Sequence, residues 1–200
     1  MRIGAVLLAS GSGSRFGSNK LLQEIQGVTM IRRAFSAIPP GLFDRAAVVS
    51  CYPEILALAE EHGYFPIPNP RAEEGQSVSL CLGLSQLLDM DGVLFSVCDQ
   101  PWLSRKSVER LLAQFLSFPD RICALSWQGK RGSPVIFPSF TFPDLLELTG
   151  DQGGRTIIRA NAHRLHLVEA DSSKELQDVD TPFDLKDLTC QKTELKNRTN

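Results

Sequence analysis

The chain has 200 residues. A single domain of that size buries roughly 70 % of its unfolded surface, enough for a core of its own. Hydrophobic residues make up 42 % and charged residues 22 %, near the globular average, which excludes an extended disordered polymer. The net charge of −2 supplies no overall field for nucleic acid or an anionic membrane, so neither is expected as a partner.

Ile3 to Ala9 is a continuous apolar run ending in a glycine cluster, the pattern of a fully buried strand entering a loop. The run is at the lower limit for a secretion signal, and Arg15 and Lys20 follow almost at once, so a cytoplasmic location is expected. Thr29 to Ile38 reads as a helix stopped by Pro39-Pro40, and Arg45 to Cys51 as a second strand. Pro53 to His62 carries apolar residues at helical spacing, with Gly63 in a capping position. From Ser77 to Leu88 the apolar residues fit one face of a helix. Gly92 to Cys98 is another buried strand, ending on Asp99.

Ser104 is placed to cap a helix running to about Leu116. Ile122–Trp127 and Pro134–Phe137 flank Gly129-Lys130-Arg131-Gly132, a hairpin or short crossing loop. Helices near Phe142–Leu148 and Gly154–Asn161, then a strand Arg164–Glu169, complete the pattern before a last helix that starts at Thr181-Pro182. The tail 189–200 is polar and aperiodic, leaving 1–188 as the domain. Strands alternating with helices predict an α/β fold of three layers, doubly wound around a mainly parallel sheet. Such sheets bind ligands at the carboxyl ends of their strands, here after Ala9 and after Cys98.

The five cysteines are odd in number and scattered, without a C-x-x-C pair, and the three histidines do not fall at zinc spacing. Neither a disulfide framework nor a zinc site is expected, and most of the cysteines read as small core residues in a reducing compartment. Residues 1–33 carry Arg2, Arg15, Lys20, Arg32 and Arg33 against the single acid Glu24, a local field suited to a small polyanion.

The segment Leu8-Ala9-Ser10-Gly11-Ser12-Gly13-Ser14-Arg15-Phe16-Gly17-Ser18-Asn19-Lys20 follows the first strand directly. Small residues let backbone N–H groups approach phosphates as an anion nest, and Arg15 and Lys20 can add charge-assisted contacts. A flexible Gly/Ser turn with solvated basic residues is the bland alternative. A dinucleotide fingerprint from Gly11 needs glycine where Phe16 stands, which argues against a nicotinamide-dependent reductase, and no Walker spacing occurs. Cys98-Asp99-Gln100-Pro101 places a carboxylate at the end of a strand beside the first one. Asp180, in Asp178-Val179-Asp180-Thr181-Pro182, is a second candidate, or simply an acid outside a helix cap. Magnesium is satisfied by one or two carboxylates plus phosphate oxygens.

The pattern L-A-[small]-G-x-G-x-R-[apolar]-G-x-x-K is more specific than a Gly-rich loop alone. On it the chain resembles the MobA-like nucleotidyltransferase family, most closely the molybdenum cofactor cytidylyltransferase branch, from Ile3 to about Leu188. The resemblance implies a Rossmann-like fold of the nucleotide-diphospho-sugar transferase type. It also implies transfer of CMP from CTP to the phosphate of molybdopterin, with release of pyrophosphate. Asp99-Gln100-Pro101 matches the family's D-x-P and Asp178 to Pro182 its D-x-D-T-P, implying Asp99 and Asp180 as ligands of Mg2+. Arg15, Lys20 and Asp99 would carry catalysis, and Ala9, Ser10, Gly11 and Gly13 would bind nucleotide with them. Asn69-Pro70 and Gly75-Gln76-Ser77-Val78-Ser79-Leu80 match a segment lying against the base, implying Gly75 and Ser79; from local pattern alone the serines read as helix-start residues.

Gly132-Ser133-Pro134-Val135-Ile136-Phe137 resembles the family's G-x-P-V-x-F, with Ser133 departing from the usual Asn or His. Gly150-Asp151-Gln152-Gly153-Gly154-Arg155 resembles its pterin-side motif. These imply Gly132, Asp151 and Arg155 as acceptor-binding residues; locally, Asp151 reads as a helix cap. Ser10 stands where the guanylyl branch has glycine and the cytidylyl branch alanine, and its side chain should crowd a purine more than a pyrimidine. The alternatives are a guanylyltransferase, a transferase acting on another phosphorylated acceptor, and a non-enzymatic cofactor carrier, which would need neither metal aspartate. Transient contact with a molybdoenzyme or its chaperone would follow.

Overall fold

The computed structural model describes residues 1–11, 19–181 and 184. Gly13, Arg15, Cys190, most of the segment expected as the last helix and the tail lie outside the described residues.

A seven-stranded sheet forms the middle layer, in the order β5-β4-β1-β6-β8-β7-β9. Its strands are β1 Ile3–Leu8, β4 Arg45–Ser50, β5 Phe65–Pro68, β6 Gly92–Val97, β7 Ile122–Trp127, β8 Lys130–Pro138 and β9 Leu165–Glu169. β1 pairs in parallel with β4 and β6, β4 with β5, and β7 with β9; β8 alone runs the other way, between β6 and β7. A separate small hairpin joins β2 Glu24–Ile25 to β3 Val28–Thr29.

The apolar runs are continuous because both faces of the sheet are covered. Ala5 and Leu7 of β1, with Leu94 of β6, pack on one face against α1 (Met30–Ala37), α2 (Pro53–Glu61) and α4 (Arg105–Ser117). Val6, Val93 and Phe95 point the other way, into α3 (Gln76–Ser85), α5 (Phe142–Leu146) and α6 (Arg155–Ala160). The period of two along each strand thus separates two cores and gives the three expected layers. Helix α3 comes so close to β1 that a Cβ on Gly83 would fall 2.4 Å from Val6 Cγ1.

The chain steps outward from β1 to β4 and β5, then returns to the other side of β1 to lay down β6. The reversal opens a crevice above the carboxyl ends of β1 and β6, where doubly wound sheets take their ligands.

Several elements differ from expectation. Helix α3 ends at Ser85, and Leu88 is half exposed rather than part of the helical face. Of the two readings of 129–132 the hairpin holds, with a tighter turn than expected. β8 begins at Lys130, and the turn from β7 is Gln128-Gly129, both with positive φ. Strand β5 was not foreseen, because prolines at 66 and 68 argue against a strand; it is tolerated at the sheet edge, where donors are not all needed. Cys98 and Cys123 are buried as expected, but Cys81 is only partly covered and Cys51 is exposed.

Candidate active site

Two adjoining cavities occupy this crevice. The first, about 410 Å³, lies over the ends of β1 and β6 and is lined by Ser10, Gly11, Lys20, Gly75, Ser79 and Asp99 among others. The second, about 530 Å³, opens toward β8 and α6 and is lined by Gly132, Arg131, Arg155, Phe95 and Phe137 among others. They share Leu8, Gln76, Val97 and Asp151, so molecules bound in each would meet over the end of the sheet.

Lys20 lies at the floor of the first chamber. It opens a short 3-10 turn, Lys20–Leu22, that Asn19 caps by accepting from the Leu21 amide at 3.1 Å. The turn swings the side chain inward, leaving the residue 9 % exposed. Its ammonium donates to Asp99 Oδ2 at 2.7 Å, to Asp180 Oδ1 at 3.2 Å and to the Val179 carbonyl at 3.2 Å. Burial pulls the Lys20 pKa down, but hydrogen bonds and charge from Asp99 and Asp180 outweigh it and hold the group above the ordinary lysine value. Lys20 is cationic at any working pH.

The two acids, 81 positions apart (180 − 99), are drawn together by backbone: the Val179 N–H donates to the Asp99 carbonyl at 2.9 Å. Gln100 Nε2 adds a bond to Asp178 Oδ1 at 2.8 Å. Asp184 Oδ2 accepts from the amides of Asp180 and Thr181, at 2.9 and 2.7 Å, which sets the chain direction at Asp180 as a helix-start acid would. The Asp178 carboxyl is pushed up by burial and by the charge of Asp99.

Gly75 and Ser79 line one wall of the first chamber. Gly75 has φ of +109°, and a Cβ there would lie 2.3 Å from the carbonyl carbon and oxygen of Gly150. Ser77 N–H donates to the same Gly150 carbonyl at 3.1 Å, so the segments around 75 and 150 are stitched together where the chambers join. Ser79 Oγ accepts from Asn69 Nδ2 at 2.9 Å; both residues are buried. Asp151 stands at the junction but caps nothing: the residue before α6 is Gly154, which has no side-chain cap.

The structure thus brings Ser10, Gly11, Lys20, Gly75, Ser79 and Asp99 to one chamber, and Gly132 and Arg155 to the next. Asp180 reaches the first chamber through its bond to Lys20. Ala9 does not line it: the residue is fully buried, and its amide donates to Val49 at 2.8 Å. The local field of the N-terminal basic residues is not focused on this chamber by their side chains. Arg2 pairs with Asp89, and Arg33 donates to the Ile25 carbonyl, so of the described ones Lys20 alone serves the site. Arg131, Gln100 and the Phe95–Phe137 pair were not singled out from the sequence. Arg131 lies in a segment that the sequence marks only as a hairpin or short loop, Phe95 carries no motif, and Phe137 ends the G-x-P-V-x-F segment without its ring partner being legible.

A model of the MobA-like NTP transferase domain matches residues 5–166. The chain belongs to the MobA-like NTP transferase family. It is 29 % identical over 189 residues to purine catabolism protein PucB of Bacillus subtilis, covering 88 % of this chain and 91 % of that protein. A probable molybdenum cofactor guanylyltransferase of Nostoc sp. is 28 % identical, covering 90 % and 87 %. A protein named nicotine blue oxidoreductase, from Paenarthrobacter nicotinovorans, is 26 % identical, covering 88 % and 91 %. In fold, the crystal structure of Rv0371c from Mycobacterium tuberculosis superposes with a TM-score of 0.80 at 21 % identity, covering 94 % and 97 %. The same protein in complex with manganese gives 0.73 at 19 % identity, covering 94 % and 98 %. The family and the mostly parallel, helix-covered sheet expected from the sequence are therefore both borne out. Among the described residues no helix is long and apolar enough to cross a membrane.

As a member of a nucleotidyltransferase family, the chain is expected to neutralise phosphate charge with few side chains. Among the described residues no group of three or more His, Cys, Asp or Glu could hold a metal ion. The donors present are the two carboxylates at Lys20. Asp99 Oδ1 is buried and has no hydrogen-bond partner among the described residues, an oxygen that a hard cation would satisfy. The pair therefore fits a cation that completes its shell from phosphate and water.

Proposed function

We propose that the protein transfers CMP from CTP to the phosphate of molybdopterin, or of the molybdenum cofactor built on it, with release of pyrophosphate. The observation that carries this reading is the meeting of Lys20, Asp99 and Asp180 at the floor of a chamber that opens directly into a second one. A triphosphate needs such a floor, and a bisubstrate transfer needs two adjoining seats.

An oxygen of the acceptor phosphate attacks the α-phosphorus, forming one P–O bond. The bond from that phosphorus to the bridging oxygen breaks, and its electron pair leaves with pyrophosphate. The work is positioning and charge neutralisation, so no protein nucleophile is required. Lys20 would shift its hydrogen bonds from the two carboxylates to phosphate oxygens and carry positive charge beside the leaving group. Arg15, outside the described residues, is proposed to add a second charge there. Asp99 and Asp180 would hold Mg2+, which supplies charge neutralisation on the nucleotide phosphates when bound. Gly75 and Ser79 would bound the base. Gly132, Asp151 and Arg155 would hold the acceptor. The product would pass through transient contact to a molybdoenzyme or its chaperone.

Ser10, on the wall of the first chamber, supports the smaller base. One observation favours a second reading, GTP as donor. Ser10 Oγ is turned toward the Val49 carbonyl, 3.3 Å away, which takes its bulk off the base side, and the Nostoc relative is named a guanylyltransferase. Anaerobic incubation with molybdopterin, Mg2+ and each nucleotide in turn, scored by pyrophosphate and labelled product, tests both. Product from CTP supports the proposal, and product from GTP alone transfers it to the second reading. A parallel assay of NAD(P)H oxidation addresses the relative named as an oxidoreductase; reductase turnover with no nucleotidyl transfer overturns both.

A further inference from the structure

Two guanidiniums line the second chamber. Arg131 stands on β8 and Arg155 begins α6, and both line the same cavity. Among the described residues neither guanidinium forms an ion pair or a hydrogen bond. Burial lowers the Arg131 pKa, and the nearby charge of Arg155 lowers it further. Two cations within reach of each other in a half-closed cavity repel until an anion joins them, and arginine forks match oxyanions in geometry as well as charge.

The other walls mix polar residues, among them the acids Asp151 and Asp178, which pair with neither arginine, with an apolar floor. Phe95 and Phe137 meet edge to face with centroids 6.0 Å apart, and Leu80, Val135 and Ile158 extend the surface. A Cβ on Gly154 would fall 2.6 Å from the Phe137 ring, so α6, which begins one residue later with Arg155, is packed tightly against that floor. Cations and an aromatic floor in one cavity fit a ligand with a flat ring system and an attached oxyanion.

We propose that Arg131 acts with Arg155 as an oxyanion clamp and is the specificity residue that selects acceptors carrying a phosphate on a flat ring system. The inference rests on the reading of the second chamber as the acceptor seat. It assigns a role to Arg131, which belongs to none of the motifs that carry the family resemblance.

The test titrates phenyl phosphate, and phenol as its neutral counterpart, into the full chain without nucleotide, for wild type, Arg131→Ala and Arg131→Lys. The expected result is phosphate-dependent binding weakened about tenfold or more in Arg131→Ala, with partial recovery in Arg131→Lys, which keeps charge but loses the fork. Nucleotide affinity measured on the same variants, within about twofold of wild type, shows that the fold is intact. Phenyl phosphate affinity unchanged in a folded Arg131→Ala protein overturns the clamp, as does equal binding of phenol. Arg131-dependent binding in a protein that transfers no nucleotide to any acceptor leaves the clamp standing and overturns the transferase reading instead.

Discussion

Lys20 Nζ stands 2.7 Å from Asp99 Oδ2 and 3.2 Å from Asp180 Oδ1, with its remaining hydrogen on the Val179 carbonyl. All three N–H groups of the ammonium are committed, so the lysine fills the place between two carboxylates that a divalent cation would otherwise take. Nucleotide and metal must therefore be received by exchange of partners.

Removing that ammonium has two expected consequences. Lys20→Met lowers turnover by about a hundredfold or more, the range for one lost electrostatic contact in a transition state. It also leaves Asp99 facing Asp180 uncompensated, costing on the order of 2 kcal/mol of folding stability, since Lys20 and Asp99 are mostly buried while Asp180 is half exposed. Added Mg2+ should restore part of the melting temperature in Lys20→Met and do less for wild type, where the lysine competes. Melting curves with and without the metal check this; equal shifts in the two proteins would count against competition at the carboxylates.

Asp99→Asn keeps the shape and the backbone bond from Val179 but removes a charge partner of the buried Lys20, so the protein should still fold, with a melting temperature below wild type. Turnover should fall about a hundredfold or more, with nucleotide affinity in the absence of metal little changed. Asp180→Asn, at the exposed side of the pair, should raise the metal concentration needed for half-maximal turnover. A folded Asp99→Asn protein with normal turnover is the outcome that the assignment does not survive.

Gly75→Ala should damage the join between chambers. The backbone there has φ of +109° and a Cβ would sit 2.3 Å from Gly150. Strain of this kind costs about 1–3 kcal/mol before the clash is relieved. Denaturant unfolding measures the loss, and the KM values for nucleotide and acceptor should rise together, because the 75 and 150 segments line both seats.

One acid far from the site reports on pH. The Asp171 carboxyl is held below the usual carboxylate value, first by its hydrogen bond from Arg110, with the Lys106 charge adding to it. Its folded pKa is depressed, so its contribution is present above the ordinary carboxylate value of the unfolded chain and disappears as pH falls through the lower folded value. Asp171→Asn should melt slightly below wild type at neutral pH and converge with it in acid; the effect is small because the pair is exposed. Melting temperatures across that range check the sign.

The legible parts of the fold were those dictated by continuous apolar runs and strong caps. Ile3–Leu8 and Gly92–Val97 declare themselves because buried central strands leave no polar positions. Ser104, which accepts from the Ser107 amide at 3.1 Å, marks the start of α4 in the sequence as clearly as in space. Strand β5 and the first half of β8 were not legible, since Pro66, Pro68, Gly132 and Ser133 interrupt the alternation, and only pairing with neighbours reveals them. At the site, Asp99 is legible from the strand end that precedes it and Lys20 from the Gly-rich segment that follows the first strand. The partner roles of Val179, Gln100 and Arg131 depend on contacts between segments that no local pattern encodes.

The most direct test of the central claim is pyrophosphate release by the purified protein with molybdopterin, CTP and Mg2+, compared with its Asp99→Asn variant. Release that requires all three components and falls about a hundredfold in the variant is the predicted result. Equal release by the variant, or none from wild type with any nucleotide, would contradict it.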